Sequence, residues 1–392
     1  MMAMMTMTTA ATRTTTGPPA RLPRVALVHD WLTGMRGGER ALEAICELFP
    51  GADLFALLHV PGSVSATIEA RPVHTSFIQH LPLSDRYYRP LLPLFPAAIE
   101  QFDLDDFDLI ISTSHCAAKA VVSPGRARHL CYCFTPMRYA WDQFDAYFGP
   151  DRVGPRASRM FRWGLGAMAR WDVSTAGRVD RYVAISQYVA GRIRRYYNRS
   201  ASVVYPPVDT GFFRPSGQTD GTYVLIVSAL VPYKRVDLAI RACTLAKVRL
   251  RIVGDGPELG RLRELAGPDV EFLGALSDAQ VRAAYQGAAA VLLPGIEDFG
   301  IAPVEAQACG RPVVALAQGG ARETVVDGVT GSLVPEPTAA AFADGIAQVS
   351  QGRFDADVIR QHALRFSREQ FHVGLREQID TLMTDQTRRV AR

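Results

Sequence analysis

The chain has 392 residues, too many for one hydrophobic core and enough for two domains. Hydrophobic residues make up 48% and charged residues 21%, the composition of a globular enzyme. The net charge of +4 is too small to argue for nucleic acid as a partner, and no apolar run reaches the roughly 18–20 residues needed to span a bilayer.

Residues 1–21 are rich in Met, Thr and Ala and lack the apolar core of a signal peptide, so a disordered tail is expected there. Arg24–His29 (RVALVH) reads as the first buried strand. A glycine turn, Gly37-Gly38, then opens a helix through ALEAICELF. Phe107–Thr113 (FDLIIST), His129–Phe134 (HLCYCF) and Tyr182–Ile185 (YVAI) read as further strands. Ser186 is a good N-cap for the helix that follows. Short apolar strands alternating with helices predict a parallel α/β domain over 22–205.

Three prolines, Pro206, Pro207 and Pro215, mark 206–221 as a linker. The alternation restarts over 222–366, with strands at Tyr223–Val227, Val248–Val253, Val270–Leu273, Ala289–Leu293 and Pro312–Ala315. Helices are expected to begin near Arg235, Pro257, Ser277, Pro303 and Gly320. Residues 367–392 read as an amphipathic helix returning towards the N-terminal domain. The six cysteines show no metal spacing and read as small buried hydrophobes in a reducing compartment.

In doubly wound sheets, ligands bind at the carboxyl ends of strands. The segment Leu293–Gly310 (LPGIEDFGIAPVEAQACG) runs from such an end into a helix. It sets Glu297 on the loop and Glu305 in the first helical turn, with amides near Gly300–Pro303 uncapped and open to an anion. Either glutamate alone could simply be a solvated or dipole-favoured acid.

The form E-D-F-G-I-A-P-V-E followed by A-x-A-x-G-R-P-V-V-A resembles the signature of family 4 retaining glycosyltransferases of the GT-B fold. In order along the chain come GGER, Leu230–Arg235 (LVPYKR), Val253–Pro257 (VGDGP), Phe272–Gly274 and Gly319–Glu323 (GGARE). The resemblance covers nearly all of 22–385. It implies two Rossmann-like domains around a cleft, with the nucleotide sugar in the C-terminal one. Glu305 would accept from the ribose hydroxyls and Glu297 from those of the transferred sugar. Phe299, Gly300 and Ile301 would cradle sugar and diphosphate. Lys234 and Arg235 would offset charge on the leaving diphosphate. Gly254, Gly256, Leu273 and Gly274 would pass close to the base. From the residues themselves, Gly37 and Gly38 start a helix whose amides can face phosphate or acceptor, the alternative being a mere tight turn, and His115 follows a strand end where a catalytic residue can sit, although a lone histidine is more often structural.

Two departures from the family pattern stand out. Ala229 stands where relatives carry an arginine five residues before the lysine, so one phosphate contact is missing or comes from Arg235. Phe134 stands where many relatives carry histidine. Glu39 could bond an acceptor hydroxyl or serve only the helix dipole. Asp103-Leu104-Asp105 reads as a solvated turn, and no metal or other cofactor is expected.

HDWL, TPMRYAWD and LVPYKRVDL resemble bacterial enzymes that build O-antigen and exopolysaccharide units, often mannosyltransferases. The resemblance implies a hexosyltransferase using GDP-mannose, with a UDP-hexose as the next choice. The acceptor would be a saccharide or a polyprenyl-diphosphate-linked one. Arginines interleaved with Phe161, Trp163 and Trp171 over 156–171, and Arg192, Arg194, Arg195 and Arg199, suggest peripheral contact with the cytoplasmic face of a membrane. A sugar-nucleotide epimerase or hydrolase, or a non-catalytic binder, are the alternatives. A dinucleotide oxidoreductase is disfavoured, because WLTGMRGGER after the first strand lacks G-x-G-x-x-G.

Overall fold

A computed structural model describes residues 23–142, 144–217, 221–352 and 354–390. The tail expected over 1–21 and residues 218–220 of the linker lie outside them. The chain forms two parallel sheets. The first holds β1 (Val25–His29), β2 (Asp53–Ala56), β3 (Val73–Thr75), β4 (Leu109–Ser114), β5 (Arg128–Cys133), β6 (Arg181–Ala184) and β7 (Ala201–Val203), in the order β3-β2-β1-β4-β5-β6-β7. The second holds β8 (Tyr223–Val227), β9 (Leu250–Val253), β10 (Val270–Gly274), β11 (Ala288–Leu293), β12 (Val313–Leu316) and β13 (Gly331–Val334), in the order β10-β9-β8-β11-β12-β13.

Every residue of β1, β4 and β12 is buried, as expected for strands covered by helices on both faces. The strand order reverses between β1 and β4 in one sheet and between β8 and β11 in the other. These two switch points are where a doubly wound sheet opens a crevice. β2, β3, β7 and β13 were not predicted. They hold three or four residues each, and β3, β7 and β13 are edge strands. Such strands need no continuous apolar run, so they leave little trace in the sequence.

The linker and the returning chain lie side by side. Val208 bridges to Ser367, and the Val208 amide donates to the Phe366 carbonyl at 2.8 Å. The helix Arg368–Val390 then packs on the N-terminal domain. Phe371 meets Tyr132 edge-on at 5.4 Å, His372 Nε2 bonds the Ala44 carbonyl at 2.9 Å, and Arg368 pairs with Glu43 and Glu47. All six cysteines are buried and unbridged. Among the described residues no helix is long and apolar enough to cross a membrane.

Candidate active site

Both switch points open onto one cleft of about 550 Å³ between the domains. Its N-terminal wall includes His29, Trp31, Gly37, Gly38, His115 and Phe134, and its C-terminal wall includes Ala229, Lys234, Glu297, Phe299, Gly300 and Ile301.

On the C-terminal side, β11 ends at Leu293 and the loop carrying Glu297 runs to the helix Ile301–Ala308. Gly300 has φ of 93°, a left-handed turn that glycine adopts freely. No side chain caps this helix, so its first amides face the cleft uncapped. The loop is pinned from below: the Gly320 amide donates to the Glu297 carbonyl at 2.8 Å. A Cβ at Gly319 or Gly320 would collide with the backbone of Glu297 or Phe299. That is the physical reason for the GGARE segment. Lys234 Nζ pairs with Glu297 Oε1, both side chains being mostly buried.

On the N-terminal side, the helix Gly37–Leu48 begins in the cleft. A Cβ on Gly37 would lie 2.7 Å from Ile301 Cδ1, so the two helix starts nearly touch across the domain boundary. Two N-terminal dipole ends and Lys234 therefore converge on one volume, a setting suited to an anion. Glu39 Oε2 accepts the Arg36 amide at 3.0 Å, closing the helix start, while its Oε1 lies 3.9 Å from His29 Nε2. Burial raises the Glu39 pKa, but His29 and the Arg36 contact outweigh this and hold it below the usual range. Glu39 thus serves the helix end and His29 together.

His115 is oriented by Asp30. Its Nδ1 lies 2.9 Å from Asp30 Oδ2, and its ring meets Trp31 edge-on at 4.5 Å. Asp30 is fully buried and accepts the amides of His115, Cys116, Ala117 and Ala118 at 2.6–3.0 Å. Burial raises the Asp30 pKa, but the His115 ring and these amides hold it well below the carboxylate range. Phe134 fills the space beside His29 and His115, with ring centroids 6.4 Å from each.

Of the residues singled out in the sequence, Glu297, Lys234, Phe299, Gly300, Ile301, Gly37, Gly38 and His115 line the cleft. Arg235, expected to share the charge offset with Lys234, is not among the lining residues. It takes a left-handed conformation with φ of 52° and turns its guanidinium to Asp237, 3.2 Å away. Gly254, Gly256, Leu273 and Gly274 also lie off the cleft wall, at the ends of β9 and β10. Gly254 and Gly256 have φ of 127° and 158° and press on the backbone of Ser228 and Leu230, so close backbone approach accounts for them. Glu305 is buried behind the wall. It accepts from the Tyr285 hydroxyl at 3.0 Å, and burial raises its pKa, only partly offset by Arg40 and Tyr285. Asp103 accepts the Asp105 amide at 3.0 Å in an exposed turn.

Polar contacts that sequence reasoning missed join the domains. Arg138 and Arg192, from the N-terminal domain, both clamp Asp298, and Arg192 also pairs with Asp142. Arg192 is therefore buried rather than part of a solvated basic cluster. It shares a helix face with buried Val189 and Ile193, a periodicity that could have revealed it. Ser186 Oγ accepts the Val189 amide at 3.0 Å and donates to the Asp298 carbonyl at 2.6 Å. Glu323 accepts the amides of Gln187 and Tyr188 at 2.8 and 3.0 Å, and Arg40 forks onto Asp278 at 2.8 Å. No local signal announces pairs so far apart in sequence.

Comparison with known proteins agrees with this architecture. Residues 35–212 match the family described as Glycosyltransferase Family 4, and residues 209–366 match Glycosyl transferases group 1. D-inositol 3-phosphate glycosyltransferase of Mycolicibacterium smegmatis is 35% identical over 217 residues, 48% of this chain and 50% of that protein. Its counterpart in Mycobacterium leprae is 34% identical over 197 residues, 42% of this chain and 45% of that protein. The chain thus matches about half the length of these curated relatives. Anabaena HepE in complex with UDP-glucose shares the fold at a TM-score of 0.68 and 20% identity, over 91% of this chain and 99% of that one. The lipopolysaccharide outer core galactosyltransferase WaaB shares it at a TM-score of 0.63 and 17% identity, over 91% of this chain and 99% of that one. The fold is GT-B, and each of its two domains is similar to one of these two glycosyltransferase families.

Proposed function

We propose that this GT-B chain is a retaining hexosyltransferase that moves a sugar from a nucleoside diphosphate to a saccharide acceptor. The observation that carries the reading is the Lys234–Glu297 pair at the C-terminal switch point, faced across the cleft by the start of the helix Gly37–Leu48. A sugar diphosphate needs cations and amides for its phosphates and a carboxylate for its sugar hydroxyls, and that set meets here.

In the reaction, the bond between the anomeric carbon and the phosphate oxygen breaks. The acceptor oxygen bonds that carbon from the same face, and its proton passes to the departing phosphate. Lys234 and the helix-start amides at Gly37 and Ile301 offset the charge that grows on the leaving group, so no metal is required. Glu297 orients the sugar through its hydroxyls. Glu305 holds the ribose, which requires the Tyr285 hydroxyl to yield when donor enters. His115, fixed by Asp30, positions the acceptor side. Leu273, Gly274, Gly254 and Gly256 form the backbone shelf behind the base, while Arg235 has no part in the charge offset.

GDP-mannose is the proposed donor and a UDP-hexose the next candidate; the HepE neighbour was solved with UDP-glucose. The acceptor we favour is a polyprenyl-diphosphate-linked saccharide of O-antigen or exopolysaccharide assembly, reached from the cytoplasmic membrane face. The helix Pro155–Ser174 supports this: Met160, Phe161 and Trp163 are exposed, Trp163 at 79%. Arg156, Arg159 and Arg162 accompany them on the exposed surface. Trp171 takes no part, because its Nε1 bonds Glu100 at 3.2 Å.

A thermal-shift panel of sugar nucleotides, followed by transfer to short lipid-linked acceptors, tests the reading. Retained anomeric configuration in an acceptor product is the expected result. Conversion of donor without acceptor would point to an epimerase or hydrolase instead. Binding of donor with no turnover on any acceptor would leave a binding protein.

A further inference from the structure

Arg138 follows β5 in the N-terminal domain, yet its side chain ends at the C-terminal wall of the cleft. Nε donates to Asp298 Oδ2 at 2.9 Å, and Nη2 donates to the same oxygen. Asp298 Oδ1 is taken by Arg192 at 3.0 Å. The two Arg138 bonds use Nε and Nη2, so Nη1 of Arg138 takes no part in holding Asp298. The guanidinium carbon lies 5.3 Å from the ring centroid of Tyr233, and Lys234 Nζ lies 5.3 Å from the same centroid. Burial would lower the Arg138 pKa, but Asp298, Tyr233 and Glu297 outweigh it, so the charge is firmly held.

Among the described residues that the C-terminal domain contributes to the wall, Lys234 is the one cation, while Arg36 and Arg89 line the N-terminal side. Ala229 presents only a methyl group to the cleft, and Arg235 is turned away to Asp237. Lys234 is already paired with Glu297. A sugar diphosphate carries two negative charges, and its diphosphate gains another as the sugar departs. One ammonium shared with a carboxylate does not balance that.

We infer that Arg138 is the second phosphate-binding cation of this site, reaching across from the N-terminal domain with Nη1 while Asp298 holds its other edge. The inference rests on the donor-site reading above. Arginine suits the task, because one rigid fork can serve a carboxylate and a phosphate at once. It also makes donor affinity depend on domain closure, since the cation and the loop it serves belong to different domains.

The test is titration calorimetry of the full chain with GDP and UDP, and with guanosine and uridine as phosphate-free controls. R138M should weaken the better-bound diphosphate by about 10- to 100-fold, the worth of one charge-assisted hydrogen bond, and leave the matching nucleoside unchanged. R138Q, which can still bond Asp298, should do the same and answers the question if R138M does not fold. D298N keeps the arginine and should lose no more than about threefold. Equal losses in R138M and D298N, or losses shared by the nucleoside, would make Arg138 a domain clasp and overturn the inference. Unchanged diphosphate affinity in R138M and R138Q would overturn it alone. A wild type that binds neither diphosphate would overturn the donor-site reading as well.

Discussion

The Lys234–Glu297 pair allows a structural role to be separated from a chemical one. The two side chains keep 19% and 12% of their exposure. Removing one partner of a fully buried pair costs about 3–5 kcal/mol, because the other charge is stranded. Residual solvent contact here reduces that to about 1–2 kcal/mol for K234M or E297Q. The double variant K234M/E297Q strands nothing and should recover most of the loss. Transfer should behave differently. Lys234 acts on charge that develops only as the diphosphate leaves, so K234M should lower kcat by about 10²–10³, equal to about 3–4 kcal/mol of barrier. The double variant should stay as slow as K234M. Urea denaturation gives the stabilities and single-turnover transfer gives the rates. Transfer that returned in the double variant along with stability would mean that the pair only holds the loop. Near wild-type rates in K234M would refute the site assignment outright.

Other expectations follow from single features. Gly254→Ala should destabilise by about 3 kcal/mol or more, since φ is 127° and a Cβ would overlap the Ser228 carbonyl; a urea midpoint close to wild type would contradict this. Burial raises the Glu305 pKa, so on acidification affinity for nucleoside diphosphate should fall before ordinary carboxylates titrate, and E305Q should flatten that limb. His129 is buried against Ser112 and the Arg178 carbonyl, and burial pushes its pKa down to about 4. The fold therefore keeps it neutral while the unfolded chain takes up a proton near pH ~6.5. Stability should be full above that pH and fall through the window down to about 4, by at most about 3 kcal/mol; H129N should show a flatter slope across it. Flotation with anionic liposomes at low salt should carry the wild type and lose the W163S variant, and absence of wild-type binding would remove the membrane proposal.

The parts of the fold legible in sequence were those with a local cause. β1, β4, β8 and β11 are buried apolar runs, and the segment from Glu297 to Glu305 is a strand end, a turn and a helix start in one stretch. Short edge strands such as β3 and β13 carry no such run. Arg235 illustrates a different gap: neighbouring residues in the turn Pro232–Lys234 and beyond point apart, and only backbone geometry tells which one enters the cleft. Asp30 reads as an ordinary acid after a strand. Its burden, four amides and the His115 ring, comes from a loop 85–88 positions away. The clasp of Asp298 by Arg138 and Arg192 spans 160 and 106 positions. Charge pairing at that range is set by how two finished domains meet.

The helix Arg368–Val390 bears on how the protein is born. Its Phe371 sits on Tyr132 and its Gly374 against Val204, so the N-terminal domain draws its last core residues from beyond the C-terminal one. On the ribosome, the second domain has all of its strands by Val334, whereas the first waits for residues 368–382. The usual order, first made and first folded, is then reversed at the final step. A stalled chain lacking this helix would expose Tyr132 and Val204 and would be a natural client for chaperones.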